Sequence, residues 1–578
     1  MKLPTLNEIA TSRDFVAAFK GYNHNLQIGE GEFYDMKNLT STYYPVLSPR
    51  PKRGTYVTAG NPQGMIAKDA LCYVDGTKFV INEYPIEMGL NDEPKQLISM
   101  GAYVIIMPDK KYINTLDYTD KGDIEAEFVT TDDDVTFSLC KIDGADYESI
   151  ADTKPEEPKN MDLWLDTSST PHSLKQYSET SATWVTVPTT YVKISSEGIG
   201  KPFEKYDGIT ISGLKDISEL SALEGTAVVW EKGDDYIVIV GIIDTTKTIS
   251  DDITISRKMP NLDFITESEN RLWGCRYGTA VNGEVVNEIY SSKLGDFKNW
   301  NCFMGLSTDS YTASCGTDGQ FTGAITHLGY PLFFKENCVH KVYGNYPANF
   351  QIQTTACRGV QKGCSDSLAI VNEILYYKSR NAVCAYDGSL PVEMSSALGE
   401  TAYSDAVACS HGNKYYISMK DASGEYSLFV YDTSKGLWHK EDNLAVKSFC
   451  SCRNELYCIP QNSTDIKTML GSGTVDDEPI KWSAESGVLG MFTHDKKYIS
   501  RLNIRMSLDV GTRVAVYVQY DSNGVWEIAS QMVATSIRGF SIPIRPRRCD
   551  HFRIKIEGEG NGKLYSMSKT LEQGSDIR

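Results

Sequence analysis

A chain of 578 residues that is 41% apolar and 23% charged carries enough hydrophobic side chain for roughly two to four domain cores and is too apolar to stay disordered. Aromatic residues make up 11%, and Tyr alone occurs 34 times, which favours strands because flat, amphipathic rings suit a pleated, half-buried surface. The formal net charge of −19 excludes a general nucleic-acid coat, since phosphate contact needs clustered Lys and Arg.

The charge is uneven. From Asp476 to Arg578 there are 15 basic and 13 acidic residues, so that segment is +2 and the remainder of the chain is −21. The longest apolar runs, Tyr236 to Ile243 and Tyr103 to Met107, are strand-sized and far short of the roughly 20 residues that span a bilayer. Met1, Lys2, Leu3 and Pro4 lead at once to polar Asn7 and Glu8, without the apolar core of a secretion signal, so folding in a cytoplasm is expected. Fourteen cysteines without a dense spacing code read as reduced thiols within strands, as Cys458 does beside Tyr457.

In chain order, residues 1–140 read as the first blades of a β-propeller. Leu71 to Val80 turns at Asp75 and Gly76, and Gly101 to Ile113 turns at Asp109 and Lys110. Residues 141–258 read as an insertion of two β modules. The first, 151–194, follows a Pro-rich linker from Pro155 to Pro158 and carries Leu163 to Asp166, Leu174 to Tyr177 and Trp184 to Val187 as strands. The second, 195–258, runs from Tyr206 through Val228 to Ile243, with one short helix expected at Ile217 to Leu223.

Residues 259–475 carry the clearest repeat. Segments that open on Asn and run into an aromatic strand begin at Asn270, Asn372, Asn413 and Asn454, the last three at intervals of 41, and Gly329 opens a fifth copy. A second strand in each unit ends in a turn, as at Tyr386, Asp387 and Gly388 or at Tyr431 and Asp432. Repeats of about 40 to 50 residues built from four short strands are the signature of propeller blades. Two early blades and five later ones give about seven, and closure by strands from both chain ends is expected. Residues 476–578 alternate, with Leu502, Ile504, Met506 and Leu508, then Val514, Val516 and Val518, and then Phe552, Ile554 and Ile556 against Arg553 and Lys555. That pattern is an antiparallel β-sandwich with one charged face. The fold class is therefore all-β: a propeller with an inserted β module and a C-terminal sandwich.

Candidate chemistry is sparse. There is no His-Glu-x-x-His helix, no Gly-x-Ser-x-Gly elbow and no phosphate loop. The glycines at 29 and 31 and at 558, 560 and 562 lack the strand and helix flanks of a phosphate site. Cys450, Cys452 and Cys458 with His439 can be drawn as a zinc site, but core thiols fit better than unpaired knuckles. Asp132, Asp133 and Asp134 with Asp120 offer oxygen ligands to calcium, against the simpler reading of a solvated loop. No catalytic, cofactor or metal residue is assigned, and no enzyme activity is expected.

Two surfaces stand out instead. Arg545, Arg547, Arg548, Arg553 and Lys555 form the strongest basic patch, read as a subunit or partner contact in preference to DNA contact, given the −21 elsewhere. Trp164, Tyr177 and Trp184 are either a glycan-stacking platform or the core of a small module, and the core reading is preferred.

The run Phe19 to Asn23, then Gly31 to Leu39, ending at Pro45, Leu47 to Arg50 and Arg53, resembles the start of tailed-bacteriophage packaged-DNA stabilisation proteins, tail accessory proteins built on a propeller. Asn270 to Cys275, Asn287 to Asp296 and Trp300 are similar to the same group, as are Pro543 to Phe552 and the terminal Gly574, Ser575 and Asp576. The 162–184 segment resembles a small module of phage tail proteins, although Asn160 and Met161 stand where a Gly usually precedes the Asp. The resemblance implies a non-enzymatic virion protein, assembled in the host cytoplasm as a homo-oligomeric ring, commonly a hexamer. It would sit at the portal, neck or tail, touch portal, adaptor and tail proteins, and retain packaged DNA until ejection. The alternative is a tail or baseplate protein that binds or degrades host surface glycan.

Overall fold

The computed structural model describes residues 11–130, 133–147, 149–170, 172–217, 219–280, 283–472, 479–533 and 536–573. Among these the protein is all-β, with helix limited to four 3-10 turns such as Ser221–Leu223. Among the described residues no helix is long and apolar enough to cross a membrane.

The recurring unit is a four-stranded sheet whose strands lie side by side in chain order. Such sheets span residues 62–87, 96–123, 264–314, 323–356 and 369–393. A sixth set of four, within 403–440, forms one end of a ten-stranded sheet. In a seventh, Val446–Cys452, Glu455–Pro460 and Asp465–Thr468 are completed by Gly54–Thr58 from the other end of the chain.

The repeated Asn has a local cause. Glu269 and Asn270 (φ 51° and 59°) turn Phe264–Ser268 into Arg271–Thr279, and Asn372 and Glu373 (48° and 67°) turn Ala369–Val371 into Ile374–Lys378. Two successive positive φ values define the hairpin turn that matches strand twist, and Asn tolerates left-handed backbone better than most residues. Gly412 with Asn413 and Arg453 with Asn454 fill the same two positions before Lys414–Asp421 and Glu455–Pro460, with φ 55° at Gly412 and at Arg453. Equivalent hairpin turns, at 372–373, 412–413 and 453–454, thus stand 40 and 41 residues apart, with Asn first in one and second in the other two.

The chain forms two compact units. Unit 1 comprises Met1–Pro94, Phe334–Val339 and Thr355–Arg578. In it, Leu71, Tyr73 and Val80 share an apolar core with Cys450, Cys452, Ile459 and Ile466. A second core joins Tyr416, Leu428 and Val430 to Leu456, Cys458 and Met469. The sheet of residues 446–468 therefore packs on its predecessor in the chain and on the first sheet, that of residues 62–87.

The N-terminal segment departs from the sequence reading, which assigned residues 1–140 to blades. Thr11–Val16 pairs with Gly562–Gln573, Glu32–Lys37 pairs with Lys481–Ser486, and Gly21–Tyr22 bridges Leu437–Lys440 to Glu32–Lys37. The one local pairing, Gly21–Tyr22 with Glu32–Lys37, is two residues long, and the segment's Phe19, Tyr22 and Phe33 are each under 5% exposed. The C-terminal part is accordingly two sheets that both recruit N-terminal strands. One has the order Thr11–Val16, Gly562–Gln573, Lys497–Leu508, Arg538–Ile542. The other continues the ten-stranded sheet through Lys481–Ser486, Phe552–Glu559, Arg513–Tyr520 and Glu527–Met532. Val514, Val516 and Val518, like Ile554 and Ile556, are buried, while Arg553 and Lys555 point the other way, half-buried.

Unit 2 comprises Lys95–Phe333 and His340–Thr354. Trp273, Cys275 and Ile289 pack on Phe321, Phe333 and Val342, again sheet on sheet. Two further sheets share one core, which includes Phe137, Val192, Ile194, Phe203, Ile209 and Ile255. These sheets reach upstream of residue 141, since Ala126–Val129 pairs with Thr254–Arg257 and Val135–Cys140 with Tyr191–Ser195. A small sheet, Ser149–Ala151, Leu163–Asp166, Ser173–Ser178 and Thr183–Thr186, stands between them in sequence.

Candidate interaction surfaces

On the C-terminal sheet the five basic residues do not act as one patch. Arg553 and Lys555 lie on the strand Phe552–Glu559, on the face opposite the buried Ile554 and Ile556. Arg553 reaches Glu485 on the neighbouring strand at 2.8 Å and lies 4.5 Å from the Tyr34 ring centre. Burial raises the Glu485 carboxyl, and Arg553 opposes that rise. Lys555 Nζ holds Glu557 at 2.8 Å and sits over Tyr517 and Trp526, at 5.1 and 4.9 Å from their ring centres. Both residues therefore belong to a cross-strand ladder of ion pairs and cation–π contacts on a half-buried face.

Arg545, Arg547 and Arg548 precede that strand and are exposed. Arg547 donates to Glu527 Oε1 at 2.6 Å and its guanidinium lies 5.2 Å from the Tyr520 ring centre. Arg545 has no ion-pair partner among the described residues. In the loop at 545–548 it is therefore Arg545 whose charge is left for a partner.

Sequence reasoning missed a second cationic feature, at the opposite end of the strand Arg513–Tyr520. A groove of about 550 Å³ on the same sheet is lined by Lys37, Lys481 and Arg513 with Glu557, Glu559 and Gln531. Its cations are scattered over some 480 positions of sequence, so only the strand pairing brings them together.

In the small sheet, Trp164 stands opposite Lys175, and Tyr177 opposite Trp184. These four share a face, whereas Leu165 and Leu174, on the other face, form the module's core with Tyr147. The expected core role for the three aromatics is therefore corrected in its geometry: they form a separate cluster. Trp164 is 5% exposed, with its indole donating to the Ala151 carbonyl at 2.9 Å. Trp184 packs edge-on to both Trp164 and Tyr177, with ring centres 5.4 Å apart in each pair. Tyr177 and Trp184 remain half-exposed. Lys175 closes the cluster, 4.9 Å from the Trp164 ring centre and 2.5 Å from Asp166 Oδ2. Its hydrogen bond, followed by those from Ser168, holds the Asp166 carboxyl down at about 2.

The metal candidates are dispersed. Cys450 and Cys452 belong to one apolar core and Cys458 to another, where its sulfur lies 3.4 Å from Met469 Sδ. Burial pushes the Cys458 thiol up to about 12, raises those of Cys450 and Cys452, and lowers His439. Asp120 accepts from Tyr103 at 2.8 Å, and Asp134 accepts from Ser250 at 2.7 Å. Asp132 lies outside the described residues, as do Gly574, Ser575 and Asp576. Among the described residues no group of three His, Cys, Asp or Glu is arranged to hold a metal ion.

No family model and no curated protein matches the chain. Among solved structures, exo-β-1,3-galactanase from Phanerochaete chrysosporium is 8% identical over 53% of this chain and 94% of its own, with a TM-score of 0.21. U3-55K is 8% identical over 55% and 97%, with a TM-score of 0.24. Trypanosoma rangeli sialidase in complex with the inhibitor DANA is 8% identical over 91% and 97%, with a TM-score of 0.19. TM-scores this low carry no argument about fold or chemistry.

Proposed function

We propose that this chain is a structural, non-enzymatic subunit of a tailed-bacteriophage virion. In this reading it is a propeller of about seven blades that carries an inserted β module and a C-terminal sandwich. It assembles as a homo-oligomeric ring, a hexamer, at the portal–tail junction or in the tail, joins neighbouring virion proteins and retains packaged DNA until ejection.

One observation carries the propeller part. Gly54–Thr58 supplies the fourth strand to the sheet of residues 446–468, and that sheet packs on the 62–87 sheet. Pairing first with last is how a circular array of sheets closes without free edges. The structural role is supported by where the residues of the family resemblance lie. Phe33 and Met36 are buried where Glu32–Lys37 pairs with the C-terminal strand Lys481–Ser486. Arg50 donates to Asn38 at 2.8 Å, and Arg53 reaches Glu441 and Asp442, each at 2.7 Å. These residues make joints, which suits a load-bearing part.

Native mass spectrometry and negative-stain imaging of the purified chain test the reading. A closed ring with sixfold symmetry is expected, and a monomer at all concentrations overturns it. The half-exposed Tyr177 and Trp184 favour a second reading, a tail or baseplate protein that binds host glycan. Replacing both with Ala separates the two: lost adsorption to host cells with intact assembly supports glycan binding.

A further inference from the structure

The groove on the C-terminal sheet has a shape and charge that specify its occupant. Lys37, Ser483, Glu557, Ala515 and Gln531 stand in register across five adjacent strands. Four inter-strand gaps make that row about 19 Å long. Small Ser483 and Ala515 interrupt it and leave a trough between longer side chains. One step along the strands, Lys481 and Arg513 flank Glu559 on either side.

Lys37, Lys481 and Arg513 are exposed and have no ion-pair partner among the described residues. Glu557 is already held by Lys555 at 2.8 Å. With Glu559 set against the three cations, the trough keeps two positive charges in excess. A length of about 19 Å accepts an extended segment of roughly six residues.

Such a segment exists in the same chain. Thr153 to Pro158 reads Thr-Lys-Pro-Glu-Glu-Pro, with Glu156 and Glu157 both exposed. It belongs to no strand, and among the described residues its backbone makes no hydrogen bond to other backbone. Pro155 and Pro158 fix two of its φ angles and keep it out of regular structure, and the bend at Glu156–Glu157 must straighten when it docks. The four residues Pro155 to Pro158 carry −2, opposite in sign to the trough, and exposed Lys154 just before them reduces the six-residue segment to −1.

We propose that the Lys37–Lys481–Arg513 groove of one copy receives the Pro155–Pro158 segment of a second copy, and that this docking is a contact of the assembled ring. The inference rests on the ring reading and adds to it a named pair of surfaces.

Charge exchange tests it on the full-length chain by sedimentation velocity across a concentration series at low salt. Lys481→Glu with Arg513→Glu, and separately Glu156→Lys with Glu157→Lys, should each raise the dissociation constant roughly tenfold or more. The four changes together should restore most of the lost association. All four sites are exposed, and unchanged circular dichroism melting confirms that the variants fold. A wild-type oligomer that both double variants leave unaltered overturns the docking and spares the ring. Weakening by the groove variant alone also overturns it, because another acidic partner then fills the groove. A wild-type monomer overturns the ring reading and this docking with it.

Discussion

Gly21 lies so close beneath Trp438 that a β-carbon built on it would stand 2.2 Å from the Trp438 carbonyl oxygen. Its φ of +83° is a backbone conformation that side-chain-bearing residues rarely adopt. The obstructing atom is backbone, so no rotamer change relieves it. Gly21→Ala should therefore cost at least about 3 kcal/mol and loosen the joint between Gly21–Tyr22 and Leu437–Lys440. Gly76→Ala is the control: its φ is +56° but nothing stands within 4 Å of the added carbon. That change should cost only about 1 kcal/mol. Urea unfolding of the two variants side by side checks the difference, and equal losses would refute the steric account.

The seam beside it makes a second prediction. Arg53 is buried, with its guanidinium on Glu441 and Asp442, each at 2.7 Å. Burial alone would lower its proton affinity, but Asp442 and then Glu441 outweigh that and hold it above the ordinary arginine value. Arg53→Ala removes the cation that touches buried Glu441, while Asp442 keeps Arg50 at 3.7 Å, and should cost about 3 kcal/mol. Arg53→Lys should recover little of it, because one ammonium cannot reproduce the forked contact to two acids. Full rescue by Lys in thermal melts would show that charge alone matters.

How much of this was legible in the sequence follows from the range of each interaction. The hairpins were, because each two-residue turn carries an Asn, at 372, 413 and 454, although the left-handed backbone falls on Asn372 and Glu373, on Gly412 and on Arg453. The alternation of Phe552, Ile554 and Ile556 with Arg553 and Lys555 was also readable, since strand period is local. The destination of Thr11–Val16 was not: nothing in its six residues encodes a partner more than 500 positions away. Nor was the start of the inserted sheets, where Ala126–Val129 looks like any other strand until Thr254–Arg257 pairs with it. The groove of Lys37, Lys481 and Arg513 was hidden for the same reason. The aromatic trio was visible as a group, but which face of its sheet met the core depended on Tyr147, outside the motif, which packs on Leu165 and Leu174.

His439 gives a pH prediction. It is 2% exposed, and burial, with a smaller push from Lys414, lowers it to about 3 against an ordinary 6.5. The folded protein thus holds this ring neutral through a range in which the unfolded chain protonates it. Stability from this group is complete above 6.5 and is lost as pH falls from there towards about 3, by up to about 1.4 kcal/mol per pH unit. His439→Gln removes the titration. Urea midpoints measured through that window should fall less steeply for the variant than for the wild type, and parallel slopes would contradict the assignment.

The exposed loop at 545–548 predicts a separation of folding from assembly. Arg547 pairs with Glu527 at 2.6 Å, but both side chains are about half exposed, and such a pair contributes about 1 kcal/mol at most. Arg547→Glu with Arg548→Glu should leave the melting temperature nearly unchanged. The same change should weaken the oligomer, and added salt should shrink the difference between variant and wild type, because screening removes what the charges supply. Size-exclusion chromatography at low and high salt reads this directly; an unaltered oligomer at both would free the loop of any role in assembly.

In the small sheet, burial separates two tryptophans that the motif presents as equals. Trp164 is 5% exposed, donates to Ala151 and carries Lys175 on its ring, whereas Trp184 is half-exposed and leans on it edge-on. Trp164→Ala should cost about 3 to 5 kcal/mol of local stability, since it empties a filled site and strips Lys175 and Trp184 of their support. Trp184→Ala should cost only about 1 kcal/mol, chiefly the edge-on contacts to Trp164 and Tyr177. Limited proteolysis locates the effect: cleavage within residues 149–187 should accelerate strongly for Trp164→Ala and slightly for Trp184→Ala. The reverse order would mean that the cluster is held from its exposed side, with Trp184 as its anchor.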